Sequence, residues 1–139
     1  MFKNILIPTN FKDKDLLGID IALGMDLPED FTITLVHVIE MLADTEDEEF
    51  QDFYAKLEKR ASKEMGKILD LYEEKKPDIS TVILFGHRVR EIIRYTHENE
   101  IDLIIASSHQ IEARDVSQGW MTLSYKIAFL SPCPVLMVK

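Results

Sequence analysis

Five short apolar runs, most rich in β-branched residues, constrain this chain more than any other feature. The first, Ile5-Leu6-Ile7, is stopped by Pro8, and the others lie at 31–39 (FTITLVHVI), 79–85 (ISTVILF), 102–107 (DLIIAS) and 135–138 (VLMV). Runs of this length read as strands buried on both faces of a parallel sheet. The segments between them step by three or four. Leu16, Ile19, Ala22 and Leu23 predict a helix over 14–26. Phe50, Phe53, Leu57, Ala61, Met65, Ile68 and Tyr72 predict a long helix over 47–75, with Thr45 and Glu48 as its capping box. Val89, Ile92, Ile93 and Thr96 predict a third over 88–99, and Trp120, Leu123, Ile127 and Ala128 a fourth over 118–130. Strands alternating with helices imply an α/β fold, an open five-stranded parallel sheet of order 3-2-1-4-5 with helices on both faces. With 139 residues and no linker, repeat or low-complexity stretch, one domain over 1–139 is expected.

Composition narrows the function classes. The net charge is −9, and the densest basic stretch, Lys56 to Lys63, is interrupted by Glu58 and followed by Glu64, so no nucleic-acid partner is expected. No segment approaches the ~20 apolar residues of a membrane span, and no amino-terminal leader is visible. Cys133, the sole cysteine, excludes an internal disulfide and fits a reducing compartment, so a cytoplasmic protein is expected.

In an open α/β sheet, ligands bind beyond the carboxyl ends of the strands, where the strand order reverses. Here that point lies between strands 1 and 4. The bordering loops nominate Pro8, Thr9, Asn10, Ser107, Ser108, His109 and Gln110, with Val38 near the end of strand 2. The second loop has no glycine before Gly119, although a phosphate cradle generally needs them for close backbone approach. Glu112 and Asp115 add negative charge, which Lys12, Lys14, Arg88 and Arg114 would offset.

Several residues carry two readings each. Asn10 reads equally as a ligand contact and as a cap or turn residue. His109 reads as a phosphate ligand or acid–base group and, with more weight, as a plain loop histidine. His87 and Arg88 open helix 3, facing either an anion or solvent. His37 reads as structural, His97 as exposed and Cys133 as a packed thiol. The acidic run from Asp44 to Asp52 reads as a solvated loop and helix start before a metal or basic-partner site. No catalytic constellation and no metal-ligand spacing stands out. Strand 5 falls at the sheet edge, and its apolar run Val135, Leu136, Met137 and Val138 predicts a homodimer by edge pairing.

The opening KNILIPTN, the segment TLVHVIE, Gly86 before helix 3, DLIIASSH and the closing SPCPVLMVK resemble, in order and over the whole chain, the landmarks of the universal stress protein family. One branch of that family binds ATP through a Gly-x-x-Gly loop, nine residues, then Gly followed by Ser or Thr. Here Ser107 and Gln110 stand at the two loop glycines, Met121 at the third and Thr122 at the hydroxyl position, with one residue of extra spacing. Asn10 stands where the family's base-contacting Asp would be. The resemblance therefore implies a non-catalytic stress-response or regulatory homodimer with no expected cofactor and weak or absent ATP binding. An ATP- or AMP-binding sensor is the alternative. A nucleotidyl-transfer enzyme of a related fold ranks last, because the loop Asn10-Phe11-Lys12-Asp13 lacks that class's His-x-Gly-His type of motif.

Overall fold

The computed structural model describes residues 2–41, 48–75, 78–108 and 123–139. In chain order the elements are β1 (Asn4–Pro8), α1 (Asp13–Leu23), β2 (Thr32–Glu40), α2 (Glu48–Tyr72) with a 3-10 turn at Glu73–Lys75, β3 (Ile79–Gly86), α3 (Arg88–Glu98), β4 (Leu103–Ser107), α4 (Leu123–Leu130) and β5 (Val135–Val138). The strands form one parallel sheet in the order β3-β2-β1-β4-β5, the expected topology.

Consecutive strand side chains point to opposite faces, and the core divides accordingly. Ile5, Ile7, Ile33, Leu35, Leu103 and Ile105 face α1 and α2, where Ile19, Ala22, Met65, Ile68 and Tyr72 meet them. Leu6, Val36, Val38, Ile104 and Ala106 face the other way, onto Ile92 of α3 and Ile127 of α4. Both faces of the central strands are thus apolar, which is why those runs do not alternate with polar residues. Among the described residues no helix is long and apolar enough to cross a membrane.

Some expected helix faces shift. The first helix ends at Leu23 rather than 26, where the N–H of Gly24 closes onto Asp20 O and Ile21 O at 3.0 and 3.1 Å. In α2, Ala61, Met65, Ile68 and Tyr72 are buried as expected, but Phe50 and Phe53 are exposed and Tyr54 is buried instead. The 25 residues of α2 rise about 37 Å, more than twice the ~17 Å of β1, and the core contacts its carboxyl-terminal half. In α3, Val89, Ile92 and Thr96 are buried and Ile93 is half-buried. In α4, Ala128 is exposed, because it lies about 100° around the helix from buried Ile127, and Ser124 takes the inner position. Trp120 and the box at Thr45 lie outside the described residues.

Gly86 closes β3 with φ +139, a conformation open to glycine and strained for other residues. A Cβ there would also sit 3.0 Å from Glu91 Oε1. The chain then turns directly into α3, capped by His87, whose Nδ1 accepts from the Arg90 N–H at 3.5 Å.

Tyr72 joins α2 to α1. Its hydroxyl donates to Asp20 Oδ1 at 2.8 Å and lies 3.2 Å from Leu16 O. Burial first, then the Asp20 carboxylate, push this phenol up to about 12 from its ordinary value of 10.0. Above pH 10 the unfolded chain releases this proton while the folded chain keeps it, so stability is complete below pH 10 and falls as pH rises toward 12. Urea midpoints between pH 9 and 12 should show an alkaline loss on the order of 2 kcal/mol that is absent in Tyr72→Phe. Parallel curves for both proteins would reject this assignment.

Candidate functional site

The chain leaves β1 through an unusual turn. Thr9 N–H continues the ladder to Val36 O at 2.8 Å. Phe11 then adopts φ 65, left-handed backbone that a bulky residue rarely takes. Two contacts hold it there. Its N–H donates to Thr9 Oγ1 at 2.9 Å, and its ring packs on His37 with centroids 4.5 Å apart. His37 Nδ1 is itself 2.8 Å from Thr9 O, so this histidine is structural, as expected.

Asp15, in the first turn of α1 and 5% exposed, organises the turn. One carboxylate oxygen accepts from Thr9 Oγ1 at 2.9 Å, from Asn10 N–H at 3.0 Å and from Lys12 N–H at 3.3 Å. The other accepts from the Ser107 hydroxyl at the end of β4. Lys14 Nζ adds a second tie to that strand's exit by donating to Ser108 O at 2.8 Å. Asn10 therefore does not cap α1: Lys12 is the N-cap residue, and Asn10 contributes its backbone N–H while its side chain is exposed.

Between these loops lies a cleft of about 380 Å³ at the carboxyl edge of the sheet. Its floor is Val36, Val38 and Ala106. One wall is Pro8, Thr9, Asn10, Lys12, Lys14 and Asp15; the others are Arg88 and Ile92 of α3, Ser107 and Ser108 after β4, and Leu123, Ser124 and Ile127 of α4. Of the residues nominated from the sequence, Pro8, Thr9, Asn10, Val38, Ser107 and Ser108 are brought together here. His109, Gln110 and Thr122 lie outside the described residues, as do Glu112, Arg114, Asp115 and Met121. Arg88 lines the cleft, consistent with its anion-facing alternative, while His87 is spent on its helix. Asp15 escaped the sequence reading. Its signal is a carboxylate three residues after a helix N-cap, but that N-cap is Lys12 rather than Ser or Thr, so the usual pattern is hidden.

Charge gives the cleft its character. Among the described residues, three cations, Lys12, Lys14 and Arg88, line it with the carboxylate of Asp15, in a chain whose net charge is −9. Among the described residues, the side-chain polar atoms that are buried without a hydrogen-bond partner are Arg88 Nε and Ser108 Oγ, both in residues of this cleft. Among the described residues no cluster of acidic, histidine and cysteine side chains is arranged to hold a metal ion.

Comparison with known proteins places this geometry. The model of the universal stress protein family matches residues 1–139. Universal stress protein YxiE of Bacillus subtilis (strain 168) is 24% identical over 150 aligned residues, covering 100% of each chain. Hypothetical protein MJ0577, a solved structure, superposes with TM-score 0.79 at 25% identity, covering 100% of this chain and 96% of that one. An Arabidopsis thaliana family member, At3g01520, solved with AMP bound, superposes with TM-score 0.67 at 16% identity over 99% of this chain and 91% of its own.

Replacing Asp15 by Ala leaves the Thr9 and Ser107 hydroxyls and two backbone N–H groups without their acceptor. Stability should fall by about 3 kcal/mol. Exposed Asp13 occupies the same helical turn, and its replacement by Ala should cost about 0.5 kcal/mol. Urea unfolding of the two variants checks this, and equal losses would show that the Asp15 network is not what holds the turn.

Proposed function

We propose that this chain, which belongs to the universal stress protein family, is a non-catalytic, single-domain regulatory protein that binds a nucleoside monophosphate of the AMP type in the switch-point cleft and works as a homodimer. The observation that carries the ligand reading is the cationic lining of that cleft in an otherwise acidic chain. Its apolar floor of Val36, Val38 and Ala106 suits a base, and its cations suit a phosphate. AMP in the Arabidopsis thaliana member gives the ligand class precedent within the family.

A triphosphate fits less well. Ser107, Gln110 and Met121 stand where the ATP-binding branch places glycines, and the Ser107 hydroxyl is already committed to Asp15. The non-catalytic reading rests on commitments of the same kind. Asp15 is occupied by backbone and hydroxyl donors, and His37 faces the Thr9 carbonyl, so neither is set to move a proton on a ligand. A stress-response role in the cytoplasm accords with the family.

A cleft that gains about 0.3 kcal/mol from each of AMP's roughly 23 heavy atoms binds with about 7 kcal/mol, a Kd on the order of 10 μM. Calorimetry and thermal shift should give AMP a Kd in that range and ATP with magnesium a Kd at least about tenfold weaker. ATP binding near 1 μM, or no AMP binding at millimolar concentration, would overturn the reading.

The dimer reading has its own observation. β5 is an edge strand on which Leu136 is exposed, and Phe129 and Leu130 are exposed at the end of α4. Val135 and Val138 instead join the subunit's own core and Met137 is half-buried, so Leu136 is the most exposed residue of the run. Sedimentation at low micromolar concentration should show a dimer that Leu136→Lys converts to a folded monomer. A wild-type monomer would reject the dimer and leave the ligand reading intact.

A further inference from the structure

We propose that Arg88 reads the anionic group of the cleft's ligand and that Glu40 holds Arg88 in place until the ligand arrives. This rests on the nucleotide reading above and assigns it a specificity residue outside the glycine-loop positions.

Arg88 is the first residue of α3, two positions after Gly86, at the carboxyl edge of β3. Its side chain is partly exposed, yet Nε is buried and has no hydrogen-bond partner. Glu40, the last residue of β2, approaches it with Oε2 at 3.9 Å. That separation is within ion-pair range and beyond hydrogen-bond reach. Both side chains are partly exposed to solvent, so the pair is weak and readily exchanged.

Ser108, 4% exposed, lines the same cleft after β4, with its Oγ also unpartnered. A buried polar group without a partner is rare in a native structure and calls for a physical reason. Arg Nε–H can only donate and a serine hydroxyl can donate, so one acceptor-rich group satisfies both. Phosphate matches a guanidinium through two parallel N–H···O bonds, which a lone carboxylate oxygen at 3.9 Å does not supply. Ligand phosphate therefore competes with Glu40 for Arg88 and wins on geometry. Charge acts in opposite directions at the two positions: removing Arg88 weakens phosphate binding, and removing the Glu40 charge strengthens it.

Calorimetry with AMP and with adenosine, on the wild type, Arg88→Gln and Glu40→Gln, tests this. The wild type should prefer AMP over adenosine about tenfold. Arg88→Gln should weaken AMP about tenfold and leave adenosine within about twofold, whereas Glu40→Gln should tighten AMP two- to threefold and leave adenosine unchanged. Glu40 is exposed, so its variant keeps the test available if Arg88→Gln folds poorly. Equal affinity of the wild type for both ligands would overturn the proposal. So would equal loss of both ligands in Arg88→Gln, or AMP binding unchanged or weakened in Glu40→Gln. Adenosine binding with no phosphate preference sinks this assignment alone, whereas no binding of either ligand to the wild type sinks the nucleotide reading with it.

Discussion

The β1–β4 seam is where the sheet reverses its order, and it is held by little ladder. The paired register there comprises Ile5 with Leu103 and Leu6 with Ile104, against eight pairs between β2 and β3. A carboxylate sits at each end of the seam. At the amino edge Asp102 accepts from the N–H groups of Lys3 and Asn4, at distances of 2.9 to 3.2 Å. At the carboxyl edge Asp15 gathers the exit of β1 and the exit of β4. Strands that diverge to opposite sides of a switch point open a crevice between their loops. Asp15, the acceptor that closes the seam at the carboxyl edge, therefore also ties together the two loops that border the cleft.

This arrangement divides the work among charged groups. Asp15 lies in the cleft wall, but its oxygens are directed at the protein's own donors. The cations are less committed. Lys14 spends one donor on Ser108 O, and among the described residues Arg88 meets a loose partner in Glu40. Among the described residues of the cleft, acid is consumed by the fold and base is left less committed, so that part of the lining is positive in an acidic protein.

The architecture was legible because the strands are buried on both faces. Ile5-Leu6-Ile7 is apolar throughout because Ile5 and Ile7 meet one helical layer and Leu6 the other. Strand order followed from the alternation of elements, and the switch point from the order, so half a dozen cleft residues were named without coordinates. Helix faces were read less well at the start of α2. Phe50 and Phe53 continue its apolar spacing but are exposed, and Tyr54, one position further round the helix, is buried instead. Asp15 was invisible for a different reason. Its partners are two backbone N–H groups and two hydroxyls, one of them 92 residues away, and no local pattern records such a set. The orphaned Nε of Arg88 is likewise a property of packing, which spacing along a chain does not encode.

Gly86 has a reach beyond its own turn. It is the last residue of β3, its backbone lies where side chains are rarely found, and the space a Cβ would take belongs to Glu91. Glu91 is buried in the first turn of α3 and ion-paired with Arg94. A side chain at position 86 would strain the backbone there and press on the Glu91 side chain in the first turn of the helix that carries Arg88. The absence of one methyl group thus acts as the sighting mechanism of the cleft, fixing the direction in which a cation two residues away is aimed. Sequence drift at this glycine would be felt at the cleft wall as well as in the turn itself, because Arg88 lines that wall two residues away.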